Sequence, residues 1–228
     1  MSVRPIVVAA ILALSAIAPA RAAYEACGPL QNAYGPFDYR THRAKLEIVE
    51  RYHFTPGVEA LQGGNTSSMG GDIDYTLRAS PNHPRALMAM ANLALRDRTK
   101  HVHGAHYTVD CYFDRAIRFA PTDGTVYMIY GTYLFRAGEK AKALKMLEEA
   151  EATAEDNANL HYNLGLVYLD AGQYDKALVH AQKAYALGFP LPGLKNKLVA
   201  AGKWQDAAVS PAPAPVAAPA PAVAATPK

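Results

Sequence analysis

Apolar and small residues recur at helical spacing in the middle of the chain, in runs that alternate with short polar breaks. The clearest pair of runs begins at Leu160 and at Ala177. The same arrangement occurs 34 residues earlier, so that Gly131 matches Gly165. The region 122–190 is therefore predicted to form two consecutive pairs of helices.

Glycines hold corresponding positions in the two pairs. Gly138 and Gly172 stand where the first helix of each pair should end, because glycine adopts a left-handed conformation without strain. Gly131 and Gly165 fall inside a helix, where glycine costs about 1 kcal/mol relative to alanine. That cost is reasonable where two helices must approach closely. Small residues such as Ala177 fit the same interpretation.

The second copy contains Asn163-Leu164-Gly165-Leu166-Val167-Tyr168, then Ala171-Gly172-Gln173-Tyr174-Asp175-Lys176-Ala177, Ala181, Ala184 and Phe189-Pro190. These residues and the 34-residue period resemble the tetratricopeptide repeat family. The resemblance implies an all-α fold, a short α-solenoid of helix pairs, whose surfaces bind other molecules and carry no chemistry. The alternative is two unrelated pairs of amphipathic helices.

The flanking sequence extends this pattern. A further repeat is predicted over 84–121, with an insertion in the turn between its helices that should project from one face. Residues 44–54 fit either a strand or a helix, and we favour a helical or irregular structure. The predicted organisation is a signal peptide (1–22), an N-terminal extension (23–55), a degenerate repeat (56–82), a tetratricopeptide repeat domain with a capping helix (83–204) and a disordered Ala/Pro-rich tail (205–228).

The start of the chain predicts export. A positive residue, Arg4, precedes an apolar run over 6–18, and Ala20-Arg21-Ala22 has the small-x-small form that signal peptidase recognises. The mature protein is expected to be periplasmic or secreted and not to span a membrane, although an uncleaved anchor is an alternative. The formal net charge of +3 over 228 residues is spread along the chain, so a nucleic-acid partner is not predicted.

Cys27 and Cys111 are the two cysteines of the chain. Two thiols of an exported protein usually pair, so we predict an intramolecular disulfide. An intermolecular bond and two buried thiols are the alternatives.

Catalytic motifs are missing from the sequence, and neither an enzyme activity nor a cofactor is predicted. The inserted turn holds His101, His103 and His106, which are weak candidates for a metal site because imidazole is a common metal ligand. A polar solvated loop is the simpler interpretation.

The resemblance also implies a concave groove lined by the first helix of each pair. Carried over position by position, the predicted groove residues are Met88, Asn92, Met128, Thr132, Phe135, Tyr162, Asn163, Leu166 and Leu169. Relatives that bind the terminal carboxylate of a peptide use Lys, Asn and Arg in the groove, whereas only the two asparagines are of that kind here. An apolar groove suited to a helix or an apolar segment is expected, unless the N-terminal third of the chain covers it.

The predicted function is a scaffold or assembly factor in the bacterial cell envelope, which binds a protein or peptide partner in the groove. The alternatives are a metal-handling or enzyme-accessory role of the histidine-rich turn, and self-association through the groove. The sequence leaves the oligomeric state open.

Overall fold

The computed structural model describes residues 27–153 and 157–206. The predicted signal peptide and nearly all of the Ala/Pro-rich tail lie outside the described residues. The described part is all-helical, and its helices are α1 (Arg43–His53), α2 (Pro56–Glu59), α3 (Met69–Ala79), α4 (Pro84–Asp97), α5 (Val109–Phe119), α6 (Gly124–Arg136), α7 (Lys140–Thr153), α8 (Ala158–Asp170), α9 (Tyr174–Ala186) and α10 (Gly193–Ala200).

Local side-chain contacts fix where several of these helices begin. The side chains of Ser68, Thr108 and Asn157 accept hydrogen bonds from backbone N–H groups in the first turn of α3, α5 and α8. Such caps satisfy donors that have no partner within the helix. Gly138 and Gly172 follow α6 and α8 with φ of 84° and 72°, which places both in the left-handed conformation predicted for them.

Consecutive helices pack as pairs, α4 with α5, α6 with α7 and α8 with α9, and α10 covers the last pair. The pairs stack because the first helices α4, α6 and α8 also pack on one another. The predicted α-solenoid is therefore confirmed. Gly131 lies where α6 approaches α7, since a Cβ atom there would be 2.6 Å from Cγ of Leu147.

The N-terminal part of the fold differs from the sequence interpretation. Residues 43–53 form a regular helix, α1, which packs against α3. The pair predicted over 56–82 is thus completed by a helix that precedes residue 55, and α2 is only a short turn of helix between its members. The spacing of apolar residues could not decide whether residues 44–54 are helical, because their positions fit both the period of a helix and that of a strand.

The inserted turn between α4 and α5 does not project from the fold as predicted. Val102 is buried in the core, and the hydroxyl of Ser68 donates a hydrogen bond to the carbonyl oxygen of His103 (3.3 Å). The turn therefore lies against the start of α3.

Candidate functional site

The first helices of the three stacked pairs form one face of the solenoid, and a cavity of about 260 Å³ opens on it. The residues that line this cavity, called the groove below, are Met88, Ala91, Asn92, Leu95, Met128, Ile129, Thr132, Tyr133, Arg136, Asn159 and Asn163. A smaller cavity continues from it towards the start of α4 and shares Met88, Asn92, Met128 and Ile129. The face thus offers an elongated apolar depression with polar groups at one side.

Two methionines supply much of the apolar surface. Met88 is 48% exposed and lines the cavity, so its side chain is accessible to a ligand. Met128 is partly buried and packs against the core of the last two repeats. Methionine adapts its shape to a ligand because its side chain is unbranched and polarisable.

The polar side of the groove is rich in hydrogen-bond donors. Arg136 extends from the last turn of α6, and its guanidinium donates to Oδ1 of Asn92 at 2.6 Å. Asn163 donates to the backbone carbonyl of Asn159 at 2.9 Å. Among the described residues that line the groove, Arg136 carries the only formal charge at neutral pH. The groove therefore combines apolar contact with a positive, donor-rich rim.

The structure brings five of the nine predicted groove residues together: Met88, Asn92, Met128, Thr132 and Asn163. The other four, Phe135, Tyr162, Leu166 and Leu169, are partly buried against the core and do not line the cavity. The ring of Tyr162 stacks on Phe189, with centroids 3.9 Å apart. The capping segment after α9 therefore covers Tyr162, while the other three side chains pack against the cores of the repeats.

Six residues that line the groove are outside the set of nine predicted positions: Ala91, Leu95, Ile129, Tyr133, Arg136 and Asn159. Arg136 and Asn159 are the two of these that add side-chain N–H donors. Each lies one helical turn from a predicted groove position, Thr132 and Asn163 respectively. Helical spacing could have indicated both, since residues four apart share a face. With Arg136 and Asn159, the rim has more donors than the two asparagines found from the sequence.

The described N-terminal segment, residues 27–42, packs elsewhere and leaves the groove open. Cys27 forms the predicted disulfide with Cys111 of α5. The backbone N–H of Phe37 donates to the carbonyl of Ala79 at the end of α3 (2.9 Å). The segment thus follows α3 and α5, which are second helices of their pairs.

The side chain of Arg115 secures this segment from inside. It is 1% exposed and donates to the carbonyl oxygens of Cys27 (3.0 Å) and Pro29 (2.6 Å). The guanidinium also lies 4.4 Å above the ring of Tyr107, and burial lowers the pKa of Arg115. The contacts are to neutral groups, so they are consistent with a structural role.

The structure does not gather the histidines of the inserted turn into a metal site. His101 is hydrogen-bonded to the carbonyl of Ala105 at 2.9 Å, and Nδ1 of His106 contacts the buried carboxylate of Asp74 at 2.7 Å. His103 is exposed. Among the described residues, one group of three potential metal ligands converges, and it lies elsewhere, at Glu151, His161 and His180.

Tight stacking of helix pairs with an open face formed by first helices defines a helical-repeat protein. The tetratricopeptide repeat family model matches residues 158–188, which cover α8 and α9. The chain therefore contains at least one tetratricopeptide repeat, and this copy is the one that the sequence resemblance singled out. A comparison with curated proteins found no match. No helix in residues 27–153 and 157–206 has the length and apolar character that a membrane span requires.

Proposed function

We propose that the protein is a non-enzymatic interaction module whose groove binds a segment of a protein partner. Tetratricopeptide repeats generally mediate protein–protein interactions, which supports the general role. The observation that carries the specific proposal is the open groove, with its methionines beside a donor-rich rim.

The groove indicates the chemistry of that partner. Met88 and Met128 would contact apolar side chains, since exposed apolar surface of this kind is typical of binding sites. Arg136, Asn92 and Asn163 would donate to an acceptor on the same segment, either a carboxylate or a backbone carbonyl. An arginine that is already oriented by a neighbouring amide loses little freedom on binding such an acceptor.

We also propose that the protein works in the cell envelope of a bacterium, as an exported scaffold or assembly factor. The predicted signal peptide supports export. The disulfide between Cys27 and Cys111 supports an oxidising compartment, because such bonds are rare in the cytosol.

The groove can be tested without knowing the natural partner. Peptides selected from a displayed library on the full mature chain should carry apolar residues and an acidic group or a free carboxyl terminus. Met88→Ser should weaken their binding by about tenfold or more, because large side chains in binding grooves carry most of the binding energy. Arg136→Gln should weaken peptides with the acidic group and leave amidated or Asn-substituted versions nearly unchanged. Fluorescence anisotropy gives the dissociation constants.

Val179→Ser is the matched control, because Val179 is 61% exposed on α9 and does not line the groove. It should leave peptide binding unchanged. All three variants should melt within a few degrees of the parent protein. Selected peptides that bind the Met88 and Arg136 variants as well as the parent would show that the groove is not the binding surface.

A further inference from the structure

Three side chains with metal-binding atoms meet at the junction of the last two repeats. Glu151 lies near the end of α7, His161 lies in α8 and His180 lies in α9. The Nδ1 atoms of His161 and His180 are 3.1 Å apart. Oε1 of Glu151 lies 3.9 Å from Nδ1 of His161 and 4.0 Å from Nδ1 of His180. These residues are separate from the groove.

The spacing of these atoms fits a shared ion. A triangle with sides of 3.1, 3.9 and 4.0 Å has its centre about 2.1 Å from each corner, within the range of Zn–N and Zn–O bonds. The three helices that carry the ligands are already fixed by packing, so little rearrangement would be needed. Preorganisation of this kind favours a bound ion over scattered contacts of solvated side chains.

The rings of both histidines are held by their surroundings. His161 is 1% exposed, and Tyr168 stacks on the ring of His180 at 5.3 Å. These surroundings restrict both rings while their Nδ1 atoms lie 3.1 Å apart.

We propose that Glu151, His161 and His180 bind a divalent transition-metal ion of the zinc class. Two imidazoles and one carboxylate are a donor set that Zn²⁺ and related borderline ions accept, whereas Mg²⁺ and Ca²⁺ prefer oxygen ligands. Glu151 is exposed, so the remaining coordination position faces solvent and takes water or a donor from another molecule. The ion would link α7, α8 and α9 and so tie the last two repeats together.

The alternative account of the geometry is a hydrogen bond between the two imidazoles, with the carboxylate close by. Both accounts explain the short distance between the Nδ1 atoms. They differ in whether the full chain takes up one metal ion and in whether Glu151 matters for it.

The test uses the full mature chain without a histidine tag, freed of metal by a chelator. Zn²⁺ is titrated in competition with a chromophoric chelator, and Co²⁺ serves as a spectroscopic probe of the ligand set. We expect one saturable Zn²⁺ site per chain and a Co²⁺ spectrum that shows nitrogen and oxygen ligands. Zn²⁺ should also raise the melting temperature, because an ion that binds only the folded state stabilises it.

Glu151→Gln and His180→Gln should each weaken Zn²⁺ binding by at least about tenfold, which is the usual effect of disturbing even an outer contact of a metal site. Both should also abolish the rise in melting temperature. Glu151→Gln is the decisive variant, because this exposed side chain can be replaced without disturbing the core. A double variant, His101→Gln with His103→Gln, is the control and should bind Zn²⁺ like the parent. Weak, unsaturable uptake by the parent would overturn the proposal in favour of the hydrogen-bonded pair. Tight binding that survives Glu151→Gln would overturn it too, because the ion would then have other ligands.

Discussion

Single polar side chains in the interior decide how neighbouring segments meet. Asn82 is 1% exposed and donates to carboxylate oxygens of Asp38 (2.8 Å) and Asp123 (2.9 Å), while its own oxygen accepts from the N–H of Tyr39 (3.0 Å). One amide thus joins the N-terminal segment to two turns of the solenoid. Buried polar groups are costly unless they are satisfied in this way, so each such residue fixes one local arrangement.

His83 has a similar role and also makes stability depend on pH. Its Nδ1 accepts from the N–H of Ala86 (3.2 Å) at the start of α4, and its Nε2 contacts Glu50 (2.9 Å). Protonation would place a hydrogen on Nδ1, opposite the backbone donor. Burial is the main cause that lowers the pKa of His83 to about 4, and the contact with Glu50 opposes it in part.

The sign of the effect follows from proton uptake. In the unfolded chain, His83 binds a proton below its ordinary pKa of 6.5, whereas in the folded protein it does so only below about pH 4. The free energy of unfolding should therefore fall as the pH is lowered from 6.5 to 4, by up to about 3 kcal/mol from this residue. Urea unfolding at several pH values measures it. His83→Asn retains a good helix cap and should have a flatter profile. Equal slopes for the two proteins would contradict this role of His83.

At the scale of the elements, small residues allow the paired helices to approach closely. Gly131 faces Leu147, as described above, and Gly165 lies beside the backbone of Ala177 and the side chain of Leu194. At Gly165, α8 therefore approaches both its partner α9 and the capping helix α10. The glycine in mid-helix therefore serves two interfaces, although the repeat pattern indicated only one.

A larger residue at Ala177 should disturb this packing. Ala177 is completely buried, so Ala177→Leu should overpack the interface between α8 and α9 and lower the free energy of unfolding by about 1 to 3 kcal/mol. Val179→Leu, two residues along the same helix on its exposed side, should change it by less than about 0.5 kcal/mol. Chemical denaturation distinguishes the two variants. Similar midpoints would mean that the helix register is wrong.

At the scale of the whole molecule, the N-terminal segment covers α3 and α5 and leaves the groove open. The N-terminal segment is bound along α3 and α5 by the disulfide, by Arg115 and by backbone hydrogen bonds. The first helices α4, α6 and α8 keep their outer face free of this segment. These contacts with α3 and α5 stabilise the fold and do not obstruct the proposed binding surface.

Reduction of the disulfide should therefore lower stability without closing or opening the groove. The bond joins residues 84 positions apart, and the chain-entropy estimate for such a loop is about 4 to 5 kcal/mol. A reductant, or Cys27→Ser with Cys111→Ser, should lower the melting temperature and expose residues 27–42 to proteases. Peptide binding to the remaining folded protein should change little.

The oxidation state of Cys27 and Cys111 in cells tests both the disulfide and the proposed location of the protein. Trapping free thiols at the moment of lysis should leave both cysteines unlabelled until a reductant is added. Rapid labelling without a reductant would count against both the bond and export.

The sequence by itself determined the features that depend on neighbours along the chain. Helical spacing, the turn glycines Gly138 and Gly172 and the 34-residue period sufficed to predict the helix pairs and their stacking. These signals are local or repeated along the chain, so a single sequence is sufficient to detect them. The pairing of Cys27 with Cys111 could also be predicted, because there is no other cysteine to consider.

Tertiary structure decided which side chains meet across helices. Phe135 and Tyr162 occupy groove positions in the repeat pattern, but Phe135 packs on the core and Tyr162 packs on Phe189, so neither lines the cavity. Arg136, at the end of α6, does line it. The cluster of Glu151, His161 and His180 brings together residues from three helices, with no motif in the sequence. The physical reason is that exposure and proximity depend on the relative placement of whole helices, and periodicity within one helix does not contain that information.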